Sequence, residues 1–306
     1  MKIAILSKGP GNYSTKRLKE EAIKRGHEVK VINYTHCEAK IEQSNPVVTY
    51  NGDVLKGFDA IIPRIASSYT RYGSAIVRQF EMQGVFTTTS SIAIVRSRDK
   101  LRATQLLARA GIGIPKTIFS RGMLSPEEIE DLVEELGGPP IVIKLARGTH
   151  GRGVVLAETR KAAKSVLQGF YLMEEEGTNI LLQEYIEEAE GADIRAFVVG
   201  GKVIASMQRQ SAGEEFRSNI HQGGTGSPIK LTDEERKVAL KAAKAMGLNI
   251  AGVDLVRSKR GPLVLEVNPS PGFAIEQVTG RNVADRIIEY IELIAKRRQR
   301  KDRVGA

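Results

Sequence analysis

Along residues 1–96, short apolar runs alternate with amphipathic stretches. Lys2–Ser7 reads as a first strand, residues 16–25 as a helix stopped by Gly26, and residues 28–33 as a second strand. Asp59-Ala60-Ile61-Ile62-Pro63-Arg64 is a third. Strand–helix alternation of this kind predicts a small parallel α/β layer. Its first turn, Ser7-Lys8-Gly9-Pro10-Gly11-Asn12, does not spell G-x-G-x-x-G, which argues against a dinucleotide site there.

The pattern then changes to helices with well-marked ends and to paired strands. Ser125-Pro126-Glu127-Glu128 is a capping box with proline at the first helical position, and Gly137 is its stop. Thr232-Asp233-Glu234-Glu235 repeats the signature, with Gly247 as the stop. Residues 141–146 and 153–158 are predicted strands around a glycine-rich loop, and residues 194–199 and 202–207 a hairpin turning at Gly200-Gly201. A helix over Val283–Arg298 closes the chain, and there is no internal repeat.

The 306 residues are enough for two or three packed subdomains, and 41% apolar content supports a core without staples. Cys37 is the single cysteine, so no internal disulfide forms, which fits a reducing compartment. The four histidines have no paired spacing of a zinc site. No apolar run approaches the roughly 20 residues that span a bilayer, so no membrane partner is expected and the location expected is cytoplasmic. The net charge of +10 favours anionic partners, and much of it sits in the basic stretch 296–303. That stretch is a docking patch or a solvated tail. With 5% aromatics and no Trp, there is little material for stacking single-stranded nucleic acid.

Three constellations carry candidate chemistry. The apolar runs 250–256 and 262–268 flank Ser258-Lys259-Arg260-Gly261. A three-residue loop over 259–261 pairs Ser258 with Pro262 and puts Asp254 directly opposite Glu266, with Asn268 on the same face. Opposed carboxylates repel unless neutralised, and two carboxylates with an amide oxygen suit magnesium beside nucleotide phosphates. A carboxyl pair sharing one proton, or a slipped register, are the other readings. Second, Lys144 ends an apolar strand just before Ala146-Arg147-Gly148-Thr149-His150-Gly151-Arg152-Gly153. Such a loop is a phosphate nest or a plain hairpin turn, and it lacks the G-K-[ST] ending of a Walker motif. Third, the strand ending Gln183-Glu184-Tyr185-Ile186 leads to Asp193 and Arg195, with Arg209 and Arg217-Ser218-Asn219 downstream. A two-residue turn at Gly200-Gly201 puts Arg195 and Arg209 on opposite faces, so their convergence requires a bulge.

In this order, the pieces resemble an ATP-grasp enzyme, specifically the RimK-type ligases. The resemblance runs through Met1-Lys2-Ile3-Ala4-Ile5-Leu6-Ser7, Ile62-Pro63-Arg64, Arg78-Gln79-Phe80-Glu81 and Arg98-Asp99-Lys100-Leu101 with Gln105-Leu106-Leu107-Ala108. It continues through Lys144, Gly151-Arg152-Gly153, Gln183-Glu184-Tyr185-Ile186, Phe216-Arg217-Ser218-Asn219 and Glu266-Val267-Asn268-Pro269-Ser270-Pro271-Gly272. It departs where Gln210 follows Arg209, since such ligases carry two adjacent arginines there. It departs again at Ser270-Pro271-Gly272-Phe273-Ala274-Ile275, in place of S-P-G-L-E-G.

The resemblance implies an α/β ATP-grasp fold behind a Rossmann-like pre-ATP-grasp domain. Residues 1–96 would form that domain, 97–186 the central lobe with its glycine-rich flap, 187–295 the C-terminal lobe with the metal site, and 296–306 a basic tail. It implies that Lys100 and Lys144 contact ATP phosphates under a flap over Gly148, Gly151 and Gly153. Gln183, Glu184, Tyr185 and Ile186 would hold adenine, and Asp193 the ribose. Arg217, Ser218 and Asn219 would line the nucleotide site, and Arg209 and Arg217 would stabilise charge. Asp254, Glu266 and Asn268 would hold two magnesium or manganese ions, and Arg64, Ser270 and Gly272 would face the substrate. The implied reaction adds free L-glutamate to an acidic protein or peptide C-terminus, such as a small-subunit ribosomal protein, through an acyl phosphate, in a homotetramer. Sister ligases acting on a carrier-protein tail or a coenzyme polyglutamate share that nucleotide site. A non-catalytic basic nucleic-acid-binding protein would leave the acidic hairpin without purpose.

Overall fold

The computed structural model describes residues 1–121, 124–145, 153–172, 179–211 and 224–298. The N-terminal segment comprises β1 (Lys2–Ser7), α1 (Tyr13–Lys24), β2 (Glu28–Ile32), β3 (Cys37–Lys40), β4 (Val47–Tyr50), β5 (Asp53–Leu55), β6 (Ala60–Arg64), α2 (Thr70–Met82) and β7 (Phe86–Thr87). Its parallel sheet has the order β2-β1-β6-β7, as the alternation predicts. Strand β1 is buried on both faces. Ile3 and Ile5 enter one core, whereas Ala4 and Leu6 enter another under α2. A three-stranded antiparallel sheet, β3-β4-β5, covers one end and is absent from the sequence reading.

Helices α3 (Ser91–Arg98) and α4 (Lys100–Arg109) lead to a second sheet. It is built from β8 (Thr117–Arg121), β9 (Ile141–Leu145), β10 (Val154–Ala157) and β11 (Asn179–Glu184), in the antiparallel order β10-β9-β11-β8. Its apolar face is covered by α5 (Pro126–Glu135) and α6 (Arg160–Leu172). Helix α5 starts in the predicted capping box, Ser125 Oγ accepting from Glu128 N at 3.2 Å and Glu128 Oε2 from Ser125 N at 2.6 Å.

The third sheet has β12 (Ala192–Val199), β13 (Lys202–Gln210), β14 (Thr225–Pro228), β15 (Ile250–Ser258) and β16 (Gly261–Asn268) in the order β14-β13-β12-β15-β16. Helix α7 (Asp233–Met246) packs on one face with α4. The short α8 (Ala274–Thr279) and the closing α9 (Val283–Arg298) follow. The C-terminal helices return to the N-terminal layer. Ile3, Ile5 and Leu18 share a core with Phe197, Phe273, Ile287, Ile288 and Ile291. Arg25 on α1 reaches Asp285 and Glu292 of α9 at 2.9 and 2.6 Å. This joint fixes the N-terminal sheet beside the third sheet, so that their edges can wall one cavity. Among the described residues, no helix is long and apolar enough to cross a membrane.

Candidate active site

Two bulges build the polar face of the third sheet. The hairpin β12–β13 turns at Gly200-Gly201, with Val199 opposite Lys202, but its register shifts between Phe197 and Val198. The shift leaves Ile204 as the extra residue, and beyond it Arg195 opposes Met207 and Asp193 opposes Arg209. Without that bulge, Arg195 and Arg209 would sit on opposite faces. With it they share one. The hairpin β15–β16 departs from the three-residue loop expected. Ser258 opposes Gly261 across a two-residue turn, and a bulge at Leu265 restores Asp254 opposite Glu266. Arg195, Asp254 and Glu266 therefore form one row across three strands, with Asn268 on the same face.

The two carboxylates of that row differ in kind. Asp254, only 4% exposed, accepts from Arg195 Nε at 2.7 Å and Nη2 at 2.5 Å, and lies 3.0 Å from Arg209 Nη2. Burial pushes its carboxyl up, but the two guanidiniums outweigh this and hold it below the usual carboxylate range. Arg209 also donates to both oxygens of Asp193, from Nε at 2.6 Å and from Nη2. Burial opposes its charge, yet Asp254 and Asp193 keep its pKa above the ordinary value. Two arginines thus neutralise Asp254. Glu266 is exposed toward the cavity and makes no ion pair among the described residues. The Asn268 amide, turned to donate to it, lies 3.2 Å from Glu266 Oε1 and accepts from Arg195 Nη2 at 3.3 Å.

Lysines face Glu266 from the second sheet and from α4. Lys144 on β9 donates to Gln183 Oε1, and Gln183 Nε2 donates to Thr117 Oγ1 at 2.8 Å, so three strands hold one ammonium. Burial pulls Lys144 down to about 8, against the attraction of Glu266 and with the repulsion of Lys100. Lys100 donates to Leu145 O at 2.9 Å and is also lowered by burial, with Glu266 opposing. Gly153 has φ +71°, and a Cβ there would lie 2.8 Å from Leu145 Cδ1, so the end of the predicted flap requires glycine. Gly148, Gly151, Arg217, Ser218 and Asn219 lie outside the described residues.

These groups line one cavity of about 540 Å³ among the three sheets. One wall is apolar: Val142, Leu181, Ile186, Met207, Val256 and Leu265. Ile186 packs with Val256 and Leu263, which closes the slot behind the strand end. Glu184 accepts from Lys116 N at 2.5 Å and from Arg260, and burial raises the Tyr185 hydroxyl pKa. The opposite wall joins β6 to the loop after β16. Arg64 Nη2 donates to Pro271 O at 2.8 Å and to Ser14 Oγ at 3.1 Å, over the Phe273 ring. Ser270 Oγ is 3.5 Å from Pro63 O, and Gly272 faces open space. Gly252 admits this loop, since a Cβ there would stand 2.8 Å from Pro271 Cβ. The cavity also takes in Arg195, which the sequence named as a candidate without a role, and Thr117, Ser14 and Arg98, which it did not place in a site.

Among the described residues, no group of three or more His, Cys, Asp or Glu gathers to hold a metal ion. The donor set still suits a hard cation: Glu266 and Asn268 line the cavity that Lys100 and Lys144 also enter, although the Asn268 oxygen, 3.3 Å from Arg195 Nη2, must give up that contact to ligate. Asp254 lies beside them with both oxygens already on guanidinium groups. For Asp254 to ligate, a contact with Arg195 or Arg209 must be given up.

An apolar slot ending in half-buried lysines, facing a carboxylate without an ion pair among the described residues across two antiparallel sheets, fits an ATP-grasp enzyme, an ATP-dependent ligase. The chain belongs to the RimK family: the RimK-like ATP-grasp domain matches residues 97–291 and the RimK pre-ATP-grasp domain residues 1–94. It is 57% identical over 293 residues to a probable alpha-L-glutamate ligase of Marinobacter nauticus, covering 95% of each chain. It is 56% identical over 304 residues to one of Vibrio cholerae, covering 99% of each. Its fold is similar to that of the ATP-grasp ligase PsnB complexed with a precursor variant, Mg and ADP. The TM-score is 0.72 at 18% identity, over 96% of this chain and 98% of that one.

Proposed function

We propose that the chain uses ATP to join L-glutamate to the C-terminal carboxylate of an acidic protein or peptide, such as a small-subunit ribosomal protein. The observation that carries the catalytic half is Glu266, a carboxylate without an ion pair among the described residues, faced by Lys100, Lys144 and Arg98. Phosphates and a cation complete that charge pattern. The names of the relatives at 56–57% identity support glutamate as the amino acid added. The net charge of +10 suits an acidic chain end.

In this reading, adenine enters the apolar slot beside Ile186, Val256 and Leu265, while Lys100 and Lys144 hold phosphates. Glu266 and Asn268, with Asp254 once released, would hold magnesium or manganese, which supplies further neutralisation of phosphate charge. The acceptor carboxylate attacks the γ-phosphorus and ADP leaves, giving an acyl phosphate. The glutamate amine then attacks the acyl carbon, loses a proton, and phosphate leaves with the C–O bond electrons. Arg195 and Arg209 fix the row behind these atoms, and enclosure by three sheets keeps water from the acyl phosphate. Residues 1–96 act as the pre-ATP-grasp domain, 97–186 as the central lobe and 187–295 as the C-terminal lobe, in the cytoplasm. The test is mass spectrometry of glutamate-ended peptides incubated with enzyme, ATP, magnesium and glutamate. Addition of glutamate residues that requires ATP supports the reading. ATP consumption only with other carboxylate acceptors moves the substrate to the sister ligases.

A further inference from the structure

The arginines of the cavity sort into two sets. Arg195 and Arg209 are paired with Asp254 and Asp193. Arg64 and Arg98 have no carboxylate partner among the described residues. Arg64, at the end of β6, gives two hydrogen bonds, both from Nη2 and both to uncharged oxygens, Ser14 Oγ and Pro271 O. Arg98, at the end of α3, donates from Nη2 to Ile65 O at 3.1 Å, and its buried Nε has no acceptor. Burial pulls Arg64 down to about 10, with the charge of Arg98 adding to the effect. Burial likewise lowers Arg98, with Glu266 and Tyr34 opposing. Two desolvated like charges beside one another, one with an orphan donor, form an arrangement that an anion completes.

We propose that Arg64 and Arg98 form the seat for a carboxylate of the free glutamate, at the junction of β6, α3 and the loop carrying Pro271 and Phe273. The proposal rests on the ligase reading above. Three features favour a free amino acid's carboxylate. Guanidinium groups present a planar fork that matches a planar carboxylate, while Lys100 and Lys144 already supply point charges for phosphates. Arg64 is closed in by Ser14, Pro271 and the Phe273 ring, whose centroid is 5.2 Å away, so a small molecule fits where a polypeptide end would need a channel. A dicarboxylic amine must also bring its two negative charges beside an anionic acyl phosphate, and two cations without carboxylates offset that repulsion. Gly272, with open space where a Cβ would be, leaves room beside the seat.

The test compares the parent with Arg98→Gln, Arg98→Lys and Arg64→Lys, varying glutamate, ATP and acceptor peptide in turn. KM for glutamate is expected to rise about ten- to a hundredfold, the loss that follows when a hydrogen bond to a charged group is unmade. KM for ATP and for peptide should stay within about threefold. A rise confined to the peptide assigns the seat to the acceptor, a rise confined to ATP assigns it to phosphate, and an unchanged glutamate KM removes it altogether. Each of these overturns the proposal. Thermal stabilisation by glutamate with ADP and magnesium is read in parallel. A parent that is stabilised by glutamate but ligates nothing would sink the ligase reading while leaving the seat, provided Arg98→Gln abolishes the stabilisation. A parent that glutamate does not stabilise would overturn the seat itself.

Discussion

Replacing Lys144 by Met should stabilise the unliganded protein while abolishing its response to ATP. Burial holds the ammonium at about 8 against an ordinary 10.5, which corresponds to on the order of 3 kcal/mol against the charged form. The substitution forfeits the hydrogen bond to Gln183 Oε1, worth about 1 kcal/mol, and water in the cavity can take its place. The net gain is about 2 kcal/mol, or a rise in Tm of about 3 °C for a chain of this size. The sign fixes the pH window. The unfolded chain keeps the lysine protonated up to 10.5, so the penalty on the folded state is full below about 8 and fades as pH rises toward 10.5. Thermal unfolding of parent and variant without nucleotide, from pH 6.5 to 10, reads this directly. The same scan with ATP and magnesium should shift the parent and not the variant. A variant less stable than the parent at pH 7, or a difference that does not change with pH, would show that burial does not penalise the Lys144 ammonium.

Asp254→Ala leaves Arg195 and Arg209 without their shared carboxylate and should cost about 3–5 kcal/mol in urea unfolding. Glu266→Gln, at an exposed carboxylate without an ion pair among the described residues, should change stability by less than about 0.5 kcal/mol, yet remove turnover in magnesium. Gly252→Ala sets a methyl 2.8 Å from Pro271 and should cost about 1–3 kcal/mol, with a raised KM for the substrates facing that loop. Glu292 is held at about 2 by the Arg25 hydrogen bonds, so its contribution is full above 4.5 and lost as pH falls toward 2. The parent should lead Glu292→Gln by about 1 kcal/mol at pH 6, keep roughly half of that lead at pH 3 and lose it toward pH 2, allowing for partial exposure of the pair.

What the sequence could disclose divides along the range of the forces involved. Local signals were legible: the capping boxes at Ser125 and Thr232 form as their spacing requires, and β1, β2 and β6 pair in parallel. The hairpin at Asn51-Gly52, whose positive φ values suit those two residues, carried a readable turn signal that the sequence reading passed over. The facing of Asp254 and Glu266 came out as expected for a different reason. A shorter turn, closed by Gly261 at positive φ, and a bulge at Leu265 cancel, and the bulge is not marked by glycine or proline. The bulge at Ile204 is equally unmarked, yet it decides that Arg195 and Arg209 meet. Arg98 lies in the stretch Arg98-Asp99-Lys100-Leu101, but the unsatisfied Nε it keeps among the described residues is a relation among distant segments and has no local signature.

Transfer of a phosphoryl group to the acceptor's carboxylate before amide formation can be followed with an acceptor peptide labelled with oxygen-18 in its terminal carboxylate. After incubation with enzyme, ATP, magnesium and glutamate, one labelled oxygen is expected in the inorganic phosphate released with the first glutamate and one retained in the new amide. Unlabelled phosphate, with glutamate still joined to the peptide, would contradict that transfer.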